Sequence, residues 1–173
     1  EIQCGMGRTG TLFAHEQYGV TPDIVTLAKA LANGMPIGAM GCTEKVASGF
    51  SVGSHASTFG GNPVCAAAAK ATLEVMLEPG FLDHVAKTGV YFIEKLNALK
   101  AKHAGIVEVR GKGLMIGVEM KGPVGPVIAK MLDARIVCGP AGANVLRFVP
   151  PLIVTNEQVD RVVATLDRVL GAA

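Results

Sequence analysis

The chain has 173 residues, half of them hydrophobic, with a mean hydropathy of +0.41; that suffices for one domain, or two small ones, with a substantial core. Lys and Arg number 16 against 14 Asp and Glu, a net charge of +2, too balanced to suggest nucleic acid or a membrane surface. No apolar run approaches the length of a membrane span.

Cys4, Cys42, Cys65 and Cys138 contain no C-x-x-C pair, which argues against both a zinc site and a disulfide framework. They read as reduced, buried thiols of a cytoplasmic protein. The four histidines show no metal-ligand spacing. His84 and His103 read as solvated residues of a surface helix, and only His55 lies near candidate chemistry.

In chain order, Glu1 to Cys4 read as the end of a buried strand, as if the chain were cut there. Cys4 to Gly10 form a tight loop, formally G-x-G-x-x-G. A dinucleotide site would need a long helix after Gly10, whereas Gly19 and Pro22 leave room for about two turns. The glycines are better read as left-handed turns. Pro22 to Leu27 and Ile37 to Cys42 are β-branched or apolar runs suited to buried strands.

Between them lies Thr26-Leu27-Ala28-Lys29-Ala30-Leu31-Ala32-Asn33-Gly34-Met35-Pro36-Ile37-Gly38. One lysine stands in an apolar run, followed by a glycine-proline loop. Desolvation disfavours an ammonium, and a lysine pushed toward neutrality is a nucleophilic amine suited to a Schiff base. The plainer alternative is a stem lying over apolar neighbours with its head in water.

Thr43 to Ala47 open a short helix. Gly53 to Pro63 carry Ser57, Thr58 and several glycines, hydroxyls and amides that suit a phosphate or an ordinary polar turn. Asn62 as N-cap and Pro63 at N1 start a helix to Leu77, apolar enough to be buried all round. Pro79-Gly80 ends it and marks a domain boundary, with domains 1–78 and 79–173.

Residues 81–103 form a long helix with Leu82, Val85, Phe92, Leu96 and Leu99 inward. Strands follow at Ile106 to Val109 and Leu114 to Met120, separated by the turn Arg110 to Gly113. Next come a helix from Val124 to Leu132 and strands at Ile136 to Cys138 and Val145 to Val149. A capping box at Thr155 to Gln158 opens the last helix. This half is an α+β unit.

Four stretches occur in one order: Glu1 to Gly10, the Lys29 stretch, His55 to Pro63, and Leu146-Arg147-Phe148-Val149-Pro150-Pro151-Leu152. Together they resemble the C-terminal part of a class III, pyridoxal-phosphate-dependent aminotransferase, nearest to the members that act on ω-amino groups. The resemblance covers essentially the whole chain. It implies an α/β protein of PLP-dependent transferase fold type I: part of the large domain (1–78) plus the C-terminal α+β small domain (79–173). It also implies amino-acid and 2-oxo-acid substrates, pyridoxal 5'-phosphate as cofactor and a homodimer with shared sites.

By the same resemblance, Lys29 is the Schiff-base lysine and the base that moves the substrate proton. Gln3 matches the residue bonded to the cofactor's phenolic oxygen, and Ile2 the apolar residue on its ring. Ser57 and Thr58 match hydroxyls that reach the phosphate of the neighbouring subunit's cofactor. Arg147 matches the arginine that takes the substrate's α-carboxylate; without the resemblance it would be an odd buried charge with a partner. The family's aspartate, which pairs with the pyridinium nitrogen, falls one position before Glu1. Glu1 is no substitute, since adjacent strand residues face opposite ways. The family's N-terminal half has no counterpart here, so this stretch alone is expected to be inactive.

Overall fold

The structure, a computed structural model, describes residues 1–171. It divides into two compact units, Glu1–Leu82 and the residues from Asp83 onward. The division falls in the first turn of the helix that starts at Phe81, just past the Pro79-Gly80 turn.

The first unit opens on a turn rather than the expected strand end. The Gly5 amide donates to the Glu1 carbonyl at 3.0 Å, and among the described residues no strand lies alongside to form a ladder. Gly7 and Gly10 take the left-handed conformation (φ 78° and 93°) expected of turn glycines. Only a five-residue 3-10 helix, Ala14–Tyr18, follows, so the dinucleotide reading is dropped. Its first amides are held by Glu1, whose carboxylate accepts from Ala14 and His15, each at 3.0 Å. His15 Nδ1 lies 3.2 Å from the same carboxylate. Burial opposes ionisation of Glu1, but these partners outweigh it and hold its carboxyl below the usual range.

Strands β1 (Ile24–Leu27) and β2 (Ala39–Cys42) pair antiparallel, with Ile24 opposite Cys42 and Leu27 opposite Ala39. Both runs were expected to be buried. Instead β1 alternates exposed and half-buried positions, and β2 is exposed throughout. The sheet has two strands only, with no neighbour on either edge among the described residues, so most of its surface faces outward. Cys42 is exposed with it; none of the four cysteines forms a disulfide, and only Cys65 is fully buried.

Helix α1 (Glu44–Ala47) follows Thr43 as expected. Helix α2 (Pro63–Met76) starts where Asn62 Oδ1 accepts from the amides of Val64 and Cys65, at 3.0 and 3.3 Å. It buries one stripe, Cys65, Ala69 and Met76, rather than its whole circumference. That stripe has helical spacing, and α2 packs on the short 3-10 helix Lys29–Ala32. Nothing among the described residues covers the opposite face, where Val64 is 63% exposed.

The second unit comprises α3 (Phe81–Lys102) from Asp83 on, β3 (Ile106–Lys112), β4 (Met115–Met120), α4 (Gly125–Asp133), β5 (Gly139–Ala141), β6 (Val145–Phe148) and α5 (Asn156–Gly171). Its antiparallel sheet has the order β3-β4-β6-β5. The core joins Ile116, Val118, Leu146 and Phe148 of the sheet to Val85, Phe92 and Leu96 of α3 and Val159 and Leu166 of α5. The Phe92 and Phe148 rings stand 5.3 Å apart.

Three expectations shift here. Strand β3 runs on through Arg110 to Lys112, and the turn shrinks to Gly113-Leu114, with Gly113 at φ 50°. The strand expected at Ile136–Cys138 lies instead at Gly139–Ala141. Residues after α4 are used to close that helix: Arg135 turns left-handed (φ 61°) and the Ile136 amide donates to Met131 at 2.9 Å. Pro140 is tolerated because β5 is an edge strand. Finally, neither helix histidine is merely solvated. His103 Nε2 lies 2.6 Å from Asp167, which Lys102 also meets at 2.9 Å, and His84 Nε2 lies 3.0 Å from the Val154 carbonyl. The capping box at α5 forms through Thr155 and Gln158, each bonding the other's amide.

Candidate active site

Lys29 opens the 3-10 helix that follows β1. The backbone there turns sharply: Ala28 is extended (φ −162°, ψ −154°) and Lys29 itself is left-handed at φ 47°. A non-glycine residue in that region carries strain of about 1–3 kcal/mol. This turn sends Leu31 and Ala32, 5% and 2% exposed, into contact with the first unit's core, while Lys29 stays exposed. The apolar surroundings expected from its sequence neighbours therefore belong to them and not to Lys29. What stands at position 29 is an accessible primary amine with no ion pair among the described residues, fixed on a strained turn between β1 and a glycine-rich loop.

The other first-unit candidates are also open. Ile2, 39% exposed, and Gln3 share the opening turn. Ser57 and Thr58 lie in an exposed loop that leads into α2, the helix packed on Lys29's 3-10 helix. That loop is tight, since a Cβ at Gly60 would stand 2.9 Å from Ser57 Cβ. Asn62 already occupies the Val64 and Cys65 amides, so the loop offers a phosphate its hydroxyls rather than those two amides. His55 is exposed and stacks at an angle on Phe50, ring centres 5.3 Å apart.

Arg147 lies in the second unit, on β6. It is half-buried, and its Nε is the one buried side-chain nitrogen or oxygen among the described residues with no hydrogen-bond partner. The paired buried charge that its sequence context suggested is not found. Its cross-strand neighbours are Gly117 on β4 and Gly139 on β5, so no side chain stands directly opposite it on either adjoining strand. It borders a cleft of about 400 Å³ with Phe92, Cys138, Val149 and Val159. Burial pushes the Cys138 thiol up from its ordinary value of 9.0, which keeps it in the neutral, weakly nucleophilic form. A guanidinium with an unbonded Nε beside an apolar cleft is suited to a carboxylate, which its fork can bind with two parallel bonds.

Sequence reasoning missed the charges that share the sheet face with Arg147. Arg110 meets Glu108 at 2.6 Å and Glu119 at 2.5 Å. Alternation along β3 and β4 could have placed these three on one polar face, but their relation to Arg147 depends on strand register. Among the described residues no group of His, Cys, Asp and Glu could hold a metal ion, and no helix is long and apolar enough to cross a membrane.

Comparison with known proteins shows the family. The sequence family described as aminotransferase class-III matches residues 1–170, and the chain belongs to that family. Acetylornithine aminotransferase 1 of Bradyrhizobium diazoefficiens is 50% identical over 173 residues, covering 99% of this chain and 43% of the relative. The acetylornithine aminotransferase of Methanocaldococcus jannaschii is 50% identical over 169 residues, 98% of this chain and 42% of the relative. Among solved structures, acetylornithine aminotransferase from Elizabethkingia anophelis superposes with a TM-score of 0.93 at 31% identity, over 100% of this chain and 47% of that one. Ornithine aminotransferase from Toxoplasma gondii, described with partial occupancy of PLP at its active site, gives 0.93 at 34% identity, over 99% and 42%. The fold is thus that of a PLP-dependent aminotransferase, and pyridoxal 5'-phosphate is the cofactor to which the family points. The chain spans less than half the length of the relatives it matches.

Proposed function

We propose that this chain is the C-terminal portion of an aminotransferase that moves the δ-amino group of N-acetylornithine to 2-oxoglutarate, a step of arginine biosynthesis in the cytoplasm. The observation that carries the reading is Lys29, an exposed and unpaired amine held on a left-handed turn. Relatives about half identical over the whole chain and named for acetylornithine support the substrate.

The residues present fit the cofactor. Lys29 would hold it covalently through Nζ, Gln3 and Ile2 would meet its ring, and Ser57 and Thr58 would bond a phosphate. The two hydroxyls would serve the cofactor of a second subunit, so the working form would be a homodimer. When bound, pyridoxal phosphate supplies the carbonyl for the amine and an electron sink for the carbon that loses its proton.

The chain's own residues do the remaining work. Lys29 would also serve as the base that moves the substrate proton, accepting it at Nζ. Arg147 would bind a substrate carboxylate through its guanidinium fork.

The test is a comparison of amino donors with the complete enzyme: N-acetylornithine, ornithine, succinyl-diaminopimelate and 4-aminobutyrate, each with 2-oxoglutarate. The highest kcat/KM is expected for N-acetylornithine. Preference for another donor would replace the substrate assignment, and no 2-oxoglutarate-dependent turnover with any of them would overturn the activity.

A further inference from the structure

The sheet register sets Arg110 and Arg147 on either side of one strand. Gly117 on β4 is opposed by Arg110 on β3 and by Arg147 on β6. Partners opposed across an antiparallel sheet project from the same face. Two residues along β4 from Gly117, and so also on that face, stands Glu119. It is a diagonal neighbour of both arginines, at a spacing that long side chains bridge.

Glu119 can therefore lean either way, and it leans to Arg110, at 2.5 Å. Glu108 lies directly opposite Glu119, a like-charge pairing that by itself is repulsive. The same Arg110 nitrogen binds Glu108 at 2.6 Å. One guanidinium thus gathers both carboxylates on the β3 side, while Arg147 is left with a buried, unbonded Nε and glycines at both cross-strand positions.

We infer that Arg110 is a positioning residue for Arg147: by holding Glu119 toward β3 it keeps that carboxylate from neutralising the guanidinium that takes the substrate. The inference rests on the reading of Arg147 as a carboxylate anchor. Without Arg110, repulsion from Glu108 would drive Glu119 toward β6, where an internal carboxylate would compete with the external one.

The test follows the Arg147 Nε–H resonance in the full chain, with R147Q for assignment. The ligand-free spectrum of R110Q should show this resonance shifted and its proton slowed in exchange, as Glu119 pairs with it. R110Q/E119Q should restore the original position. With 2-oxoglutarate as the probe, the Kd at Arg147 should rise about tenfold in R110Q, the cost of competing with a charge-assisted bond, and return in the double variant. An unmoved resonance in R110Q would overturn the inference. So would a shift that E119Q does not reverse, because it would mark local disruption of the sheet. If the unsubstituted Arg147 resonance ignores 2-oxoglutarate, the anchor reading fails and the inference falls with it; the ligand-free spectra identify which has failed.

Discussion

Gly89, inside α3, lies against Gly113 at the tip of the β3–β4 hairpin. A Cβ at position 89 would stand 2.2 Å from the Gly113 carbonyl oxygen and 2.6 Å from its Cα. Helix propensity alone would favour alanine at position 89 by about 1 kcal/mol. The contact is with backbone, which cannot rotate away, so crowding of about 1–3 kcal/mol or more should win. Gly89→Ala is expected to lower the urea midpoint of the second unit, and an unchanged or raised midpoint would contradict the packing.

Asn62 holds two amides of α2, and its side chain caps that helix start. Asn62→Ala should cost about 1 kcal/mol in chemical denaturation, while Asn62→Asp should cost little, since it caps equally well and suits the helix dipole. Equal losses for both variants would mean that the cap contributes through something other than its acceptor oxygen.

Much of this was legible in the sequence because it depends on neighbours in the chain. Asn62-Pro63 and Thr155 to Gln158 name their caps locally, and the alternation of Ile116, Val118 and Met120 gives one face of β4 directly. What depends on distant partners was not legible. Burial of β1, β2 and the outer face of α2 would need surfaces that the described residues do not supply. The β5 strand moved from Ile136–Cys138 because α4 closes through Arg135, and His103 found Asp167, 64 positions away. At the site, residue types were readable, but the exposure of Lys29 and the glycines flanking Arg147 follow from backbone turn and register.

Glu1 gives a pH dependence whose sign is fixed by its depressed carboxyl pKa. A group with a lower pKa folded than unfolded adds stability above its unfolded value, and that stability is lost as pH falls through the folded one. The first unit should therefore lose stability below the ordinary value of 4.5. Glu1→Gln should be less stable at neutral pH and lack that part of the acid dependence. Parallel stability–pH curves for the two proteins would refute the role given to the Ala14 and His15 contacts.

Lys29 sits where glycine would be at ease. Lys29→Gly should relieve the left-handed strain and raise stability by about 1 kcal/mol, offset in part by a more flexible unfolded chain. Lys29→Ala, which keeps a Cβ, should show no such gain. If neither variant differs from the parent in denaturation, the turn at position 29 is not strained.

The most direct test of the account is to label the lysines. The protein is mixed with pyridoxal phosphate, reduced with borohydride, digested and mapped by mass, with Lys29→Ala as control. The expected result is added mass concentrated on the Lys29 peptide and absent from the variant. Label spread evenly over the surface lysines, with none preferred at Lys29, would contradict the claim that this turn presents the cofactor amine.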